Sequence, residues 1–342
     1  MRRIFLSCVL SIVIYLVLFG LVVDRPLSLG LLQLEISQKI SIMAALPSPK
    51  LVILAGSNGP YSHSCSVIGD MLDMPCENAG IAVGIGLDEM FIRYGPLLHR
   101  GDILYMPMEL QQYSATDAEY RAGVDGEILF RRDRRILAQL SWERILGAFF
   151  CCSLADILEA GVEMPLVRFG EINPELLLAG EYNAQGDRID NVRADADAEL
   201  LHHVVRAAPD AADIAQGYGK KLIAAFVARE SASGILVVGG LPTDFLGTQL
   251  SMAAIAEIAS VYTANGGAFM ALPNLSLYPP ESFFNSEDHL AQPCQFRHSI
   301  AIAYRLAALL HRPVRQPSSA VLQLAAACPV QYMTRYPISA AR

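Results

Sequence analysis

From residue 50 onward, short apolar runs alternate with longer stretches in which the apolar positions have helical spacing. The apolar runs lie at 51–55, 77–83, 101–110, 234–242 and 268–272. The stretches with helical spacing lie at 62–72, 87–98, 248–267 and 297–313. Short apolar strands separated by helices are typical of parallel β–α–β units whose sheet is covered on both faces. The pattern therefore predicts a three-layer α/β/α domain around a five-stranded parallel sheet.

The first 24 residues are the most apolar part of the chain. No charge interrupts residues 4–23, and about 20 apolar residues are enough to cross a bilayer. Arg2 and Arg3 precede this run, so the positive-inside rule predicts an inner-membrane anchor with the rest of the chain in the periplasm. A cleaved signal peptide is the alternative. Its apolar core is usually shorter and no A-x-A site closely follows Val23, which favours an uncleaved anchor.

The remaining pattern divides the chain further. Residues 25–49 predict a stalk or linker, an amphipathic helix that ends at Pro47 and Pro49. Residues 50–312 form the predicted α/β domain, with an insertion at about 113–215 that could act as a lid over one end of the sheet. The apolar stretch 143–162 of this insertion has two other possible roles, packing on the core or contact with the membrane. Residues 313–342 are a tail without a strong pattern.

Composition and charge restrict the possible functions. The chain has 342 residues, of which 53% are hydrophobic and 18% charged, and its net charge is −8. Nucleic-acid binding is not expected, because it requires clustered Lys and Arg. The seven cysteines contain no Cys-x-x-Cys pair and predict no metal site, and their pairing cannot be read from their spacing. No G-x-G-x-x-G or P-loop motif is present, so no cofactor is predicted.

The sequence LAGSNG places Ser57 at the end of the first predicted strand, immediately before a helix. Ligands of open parallel sheets bind at this end of the strands, and the unpaired N–H groups of a helix start favour an anion. Ser57 is therefore a candidate nucleophile. The alternative is a structural turn in which Ser57 or Asn58 caps the helix. The candidate base is His289, which lies in the loop between the fifth strand and the last helix, at the same end of the sheet.

Four segments together resemble the conserved blocks of SGNH (GDSL-type) hydrolases. They are GSN (56–58), NAG (78–80), HRGDILYMPMEL (99–110) and FFNSEDHL (283–290). The resemblance covers roughly 50–110 and 234–310 and implies an SGNH/flavodoxin-like fold. It also implies an ester hydrolase or acyltransferase in which Ser57 attacks an acyl carbonyl and His289 is the base. The N–H groups of Ser57 and Gly80 would then form the oxyanion hole.

Two blocks depart from the family pattern. Glu109 occupies the region where the family has an oxyanion-donating Asn. Glu109 is then an acid or a substrate contact, Gln111 or Gln112 supplies the donor instead, or the oxyanion hole is incomplete. The family Asp three residues before the histidine is absent, which leaves Asn285 and Asp288 as candidates to orient His289.

These departures leave three functions open. The first is an enzyme whose substrate is an acylated cell-surface carbohydrate or another ester, a substrate class that the resemblance and the predicted location imply. The second is a catalytically degenerate SGNH-like accessory protein with partners in envelope or exopolysaccharide assembly. The third is carbohydrate binding without turnover.

Overall fold

The computed structural model describes residues 1–121, 125–192 and 208–329. Its main sheet has five strands, all parallel, in the order β2-β1-β3-β4-β6. Two further strands, β5 and β7, form a separate parallel pair. In chain order the strands are β1 (Leu51–Ile53), β2 (Cys76–Asn78), β3 (Ile103–Met106), β4 (Leu236–Gly239), β5 (Asp244–Phe245), β6 (Ala268–Phe269) and β7 (Leu277–Tyr278). The predicted α/β class and the five parallel strands are confirmed.

Sixteen α-helices surround the sheet in the described part of the chain. They are α1 (Arg2–Val17), α2 (Leu29–Ala45), α3 (Asn58–Ser62), α4 (Cys65–Leu72), α5 (Leu87–Tyr94), α6 (Leu110–Ser114), α7 (Asp117–Arg121), α8 (Arg134–Leu137), α9 (Trp142–Phe149), α10 (Leu154–Arg168), α11 (Pro174–Ala179), α12 (Ala211–Gln216), α13 (Tyr218–Ala232), α14 (Met252–Thr263), α15 (Gln292–Leu309) and α16 (Ser319–Ala326). The predicted insertion contains α7 to α12, and part of it, 193–207, lies outside the described residues.

Successive residues of the central strands pack into different cores. Val52, Leu104 and Val237 belong to a core that also includes residues of α5, α13 and α14. Ile53, Tyr105 and Val238 belong to a second core with residues of α4, α15 and α16. Because side chains alternate between the two faces of a strand, a separate core lies on each face of the sheet. This explains why the strands appear in the sequence as continuous apolar runs.

The N-terminal segment is helical, as predicted. Helix α1 continues as a π-helix over Leu18–Val22. The combined helix has 21 residues, a mean hydropathy of 2.8 and little burial against the rest of the chain. It is therefore long and apolar enough to be a membrane span or a signal anchor.

The second helix packs differently from the predicted stalk. In α2, Ile36 and Met43 are fully buried in the same core as Val52. Lys39 is also buried, and its Nζ donates to the carbonyls of Asn78 and Gly186, both at 2.9 Å. A polar side chain of this amphipathic helix thus makes buried hydrogen bonds and does not face solvent. Helix α2 is part of the α/β domain.

Three disulfides join described cysteines. They are Cys65–Cys76, Cys151–Cys152 and Cys294–Cys328, while Cys8 in α1 is a free thiol. The last bridge joins α15 to the chain just after α16, and α16 packs against α15. The predicted tail at 313–342 therefore begins with a segment that is packed on the domain.

Glu77 in β2 is a buried carboxyl near the Lys39 ammonium. Its side chain is inaccessible to solvent, and neither carboxyl oxygen has a hydrogen-bond partner among the described residues. Burial raises its pKa to about 9, although Lys39 acts in the opposite direction. The folded protein therefore holds Glu77 protonated at neutral pH.

Replacing Glu77 with Gln should remove a pH-dependent loss of stability. The carboxyl binds its proton more tightly in the folded chain, so wild-type stability falls as the pH rises from the ordinary value of 4.5 to about 9. In urea titrations, we expect E77Q to gain up to ~1.4 kcal/mol in unfolding free energy, relative to wild type, per pH unit in this window. The two proteins should be equally stable near the acid end. Glu171→Gln, at an exposed position, is the control, and an E77Q profile parallel to wild type would contradict the assignment.

Candidate functional site

Ser57 lies in the connection between β1 and α3. Its side chain is half-buried, and its hydroxyl makes no hydrogen bond within the described residues. The predicted cap of α3 by Ser57 is therefore not formed. The Ser57 N–H is also without an acceptor in this part of the chain, so the residue presents both a hydroxyl and an amide that are available to a ligand.

Glu109, at the end of β3, holds this connection in place. Its carboxylate accepts one hydrogen bond from the Gly56 N–H through Oε2 and one from the Asn58 N–H through Oε1, both at 2.9 Å. These two amides flank Ser57. Burial and the nearby charge of Asp288 raise the pKa of Glu109 to about 7, while the two donated bonds act against this shift. The carboxylate is thus a hydrogen-bond acceptor that supports the turn.

Gly80, just after β2, packs directly against the same turn. A Cβ at this position would come within 2.7 Å of the Gly56 carbonyl oxygen and 3.0 Å of the Gly59 Cα, so the contact requires glycine. Its N–H donates no hydrogen bond to any described residue. Two backbone N–H groups without an acceptor among the described residues, those of Ser57 and Gly80, therefore belong to segments that pack against each other at this turn.

His289 is oriented by Asn285. Its Nδ1 lies 2.6 Å from the Asn285 Oδ1, and because an amide oxygen only accepts, Nδ1 carries the proton. The lone pair is then on Nε2, which is buried and has no hydrogen-bond partner among the described residues. Burial lowers the pKa of His289, with opposing contributions from Asp288 and Glu287. Asn285 therefore orients the ring, and burial favours its neutral form.

Asp288 is placed differently from Asn285. One carboxylate oxygen lies 3.7 Å from the His289 Nε2, beyond hydrogen-bond distance, and accepts a bond from the Ser286 hydroxyl instead. Of the two residues that the sequence left open, Asn285 is therefore the one that contacts the ring at Nδ1.

His289 packs on Tyr61, a residue of the helix that follows Ser57. The two rings are stacked, with centroids 3.8 Å apart and planes at 8°. Tyr61 lies one helical turn after Ser57, and its N–H donates to the Ser57 carbonyl at 3.2 Å. No hydrogen bond joins the Ser57 hydroxyl to His289. Both residues contact Tyr61 of α3, but they are not bonded to each other.

A buried polar network that the sequence did not indicate ties the turn to the histidine loop. The Asn58 Nδ2 donates to the Pro107 carbonyl at 2.9 Å, and the Asn58 Oδ1 accepts from the Thr243 N–H at 3.2 Å and hydroxyl at 2.9 Å. The hydroxyls of Thr243 and Ser62 both contact the Asp288 carbonyl. The loop that carries His289 is therefore fixed through Asn58, which the sequence suggested only as a helix cap.

A cavity of about 200 Å³ opens beside Glu109. Its lining combines apolar side chains with four acidic ones, those of Glu109, Asp244, Glu287 and Asp288. Burial raises the pKa of Asp244 to about 6, and the charges of Glu287 and Asp288 add to the shift. No group of three or more His, Cys, Asp or Glu side chains suited to a metal ion occurs in the described ranges.

Comparison with known proteins finds no family, no curated protein and no solved structure that matches the chain. The resemblance to SGNH hydrolases therefore depends on the four segments noted in the sequence.

Asn58→Ala should destabilise the protein well beyond the loss of an ordinary hydrogen bond. The change leaves the Pro107 carbonyl and the Thr243 N–H buried without partners, and each such group costs ~1–3 kcal/mol. We expect a loss of about 3 kcal/mol in unfolding free energy by urea titration. Asn265→Ala removes one partly buried bond to the Val261 carbonyl and should cost about 1 kcal/mol. Equal losses in both variants would show that Asn58 is not the link between the two loops.

Proposed function

We propose that this protein is an SGNH-like ester hydrolase or acyltransferase, in which Ser57 is the nucleophile and His289 the general base. One observation carries the proposal. The His289 Nδ1 is fixed by Asn285 while its Nε2 is buried and unpartnered, at the helix that begins beside the unpaired Ser57 hydroxyl. Nucleophilic catalysis requires a serine hydroxyl and a neutral imidazole nitrogen that can take its proton, and these two groups supply them once the hydroxyl and Nε2 approach each other.

The reaction follows from these groups. The Ser57 Oγ attacks the acyl carbonyl carbon while the His289 Nε2 takes the hydroxyl proton. The resulting oxyanion accepts hydrogen bonds from the Ser57 and Gly80 N–H groups. When the tetrahedral intermediate collapses, the bond to the alcohol breaks and the alcohol leaves with the proton from Nε2. Water, or the hydroxyl of an acceptor, then attacks the acyl-serine while the His289 Nε2 takes its proton. The second tetrahedral intermediate collapses, the bond to Ser57 Oγ breaks, and Nε2 returns the proton to Ser57.

The missing hydrogen bond between Ser57 and His289 is compatible with this mechanism. Catalytic hydrogen bonds are often long in the absence of substrate and shorten only in the complex. The Ser57 hydroxyl has no competing partner among the described residues, so its rotation toward His289 breaks no existing bond.

We place the acyl groups that it acts on in the cell envelope, on a surface polysaccharide or another ester. The apolar α1 supports attachment to the inner membrane, and the three disulfides support an oxidising compartment such as the periplasm. A three-layer SGNH-like fold agrees with the parallel sheet and its two cores.

The second candidate is a catalytically degenerate accessory protein of envelope or exopolysaccharide assembly. Asn285 favours it, because a neutral amide stabilises the imidazolium less than a carboxylate does. Glu109 also favours it, because its carboxylate binds the turn and donates no hydrogen bond to an oxyanion when ionised.

A fluorophosphonate probe distinguishes the two candidates. We expect the full-length protein to be labelled and Ser57→Ala to remain unlabelled, because the probe reacts only with an activated serine. His289→Ala should slow labelling by ~10³-fold or more, since no other base replaces it. Ser37→Ala, on the exposed face of α2, is the control and should be labelled like wild type. An unlabelled wild type, with function in cells unchanged in both site variants, would support the accessory role.

Asn285→Asp should increase the activity. A carboxylate at the position of the Asn285 Oδ1 would stabilise the imidazolium, and we expect hydrolysis of p-nitrophenyl acetate to accelerate by about tenfold or more. It would also raise the pKa of His289, so the acid limb of the rate profile should move to higher pH. Asn173→Asp, at a helix cap that tolerates either residue, is the matched control. An unchanged rate and pH profile would exclude Asn285 as the partner of a catalytic histidine.

A further inference from the structure

Helices α9 and α10 present an apolar surface to the outside of the molecule. Each of six large apolar side chains on these helices and their connection is between 44% and 72% exposed. They are Trp142, Leu146, Phe150, Leu154, Leu158 and Val162. The α10 members recur every four residues and therefore lie on one face of that helix. We call these six residues the apolar elbow, because the axes of α9 and α10 bend by 63° at the connection between them.

The acidic side chains of α10 lie on a different face. Asp156 and Glu159 form ion pairs with Arg25, which follows α1. Glu163 accepts hydrogen bonds from the backbone N–H groups of Leu27 and Ser28. Asp156 and Glu159 thus share one cation of the segment that leads out of α1, and Glu163 is hydrogen-bonded by the same segment, while the apolar elbow lies on another face of α10.

The apolar elbow is continuous with α1. The Tyr15 hydroxyl donates to the Cys152 carbonyl at 3.0 Å and accepts from the Cys152 N–H at 2.9 Å. The Tyr15 ring stacks on Phe150, with centroids 5.9 Å apart. Beyond α1, Phe19 of the π-helix and Val23 after it are buried in a cluster with Ala160 of α10. The connection between α9 and α10 therefore contacts a residue in the middle of the uncharged N-terminal run.

Part of the backbone of this connection is paired with protein groups, which suits a non-helical segment placed where water is absent. Tyr15 pairs with both polar groups of Cys152. The Ser153 N–H and hydroxyl both donate to the Asp156 carboxylate, at 2.6 and 2.9 Å.

We infer that the apolar elbow is embedded in the lipid bilayer beside α1, so that the globular domain is held to the membrane by two contacts instead of one. The occupant of this surface is the acyl-chain region of the leaflet in which α1 ends. The inference rests on α1 as a membrane span and does not depend on the activity of Ser57. Its basis is the continuity of the elbow with α1, the position of the acidic side chains of α10 on another face, and the pairing of the Cys152 backbone by Tyr15.

The chain contains a single tryptophan, Trp142, and it belongs to the apolar elbow. Its intrinsic fluorescence therefore tests the inference without any substitution. The full-length protein is reconstituted into phosphatidylcholine vesicles with or without brominated acyl chains. We expect bromine to quench Trp142 severalfold and aqueous iodide to have little effect. A second probe, Leu154→Trp in the Trp142→Phe background, should behave in the same way.

The matched control is Met252→Trp in the Trp142→Phe background, since Met252 is 72% exposed on α14 and lies outside the elbow. It should be quenched by iodide and not by bromine. Alkaline carbonate extraction separately tests the premise that α1 spans the membrane. Release of the protein would overturn both the premise and the inference. Retention in the membrane, with Trp142 quenched by iodide alone, would overturn the inference while α1 remains an anchor. Protection of Trp142 from both quenchers would also overturn it, because a second copy or another protein would then cover the elbow.

Discussion

The two hydrogen bonds from the Gly56 and Asn58 amides to the Glu109 carboxylate determine the shape of the candidate site. They fix the backbone on both sides of Ser57 and join the end of β1 to the end of β3. The amide of Ser57 lies between them and remains unpaired. Because burial raises the pKa of Glu109 to about 7, acidification replaces the carboxylate with a neutral carboxyl group, which accepts hydrogen bonds from the two amides more weakly. The geometry of the turn is therefore linked to the charge of one buried side chain.

The same carboxylate explains how the site differs from the pattern that the sequence resembles. At the end of the third strand, the resemblance leads one to expect a donor that faces the substrate. The structure has an acceptor there, and it faces the backbone of the turn. The remaining donors are the Ser57 and Gly80 amides, so any stabilisation of an oxyanion depends on the main chain.

The sequence predicted those parts of the structure that depend on local pattern. Buried parallel strands appear as apolar runs, and their carboxyl ends meet at one edge, which is why Ser57, Gly80 and His289 could be assigned to one region. The link between Asn58 and Thr243 could not be predicted, because 185 residues separate them and neither lies in a recognisable motif. The choice between Asn285 and Asp288 also required coordinates, because it depends on which side chain the loop turns toward Nδ1.

The packing of α2 was missed for a related reason. Lys39 appears in the sequence as part of a solvated face, whereas its ammonium is held by carbonyls of Asn78 and Gly186, which come from distant parts of the chain. The sequence shows the charge of such a side chain and not its partners. Burial of a lysine is unfavourable unless its hydrogen bonds are supplied in this way.

This packing has a consequence for how the protein can be divided. A soluble fragment that starts at residue 50, where the apolar pattern of the domain begins, would lack Ile36 and Met43 from the core and Lys39 from the buried carbonyls. The domain boundary that matters for folding lies before α2, at the point where the chain leaves α1. Fragments for crystallisation or secretion should therefore retain α2.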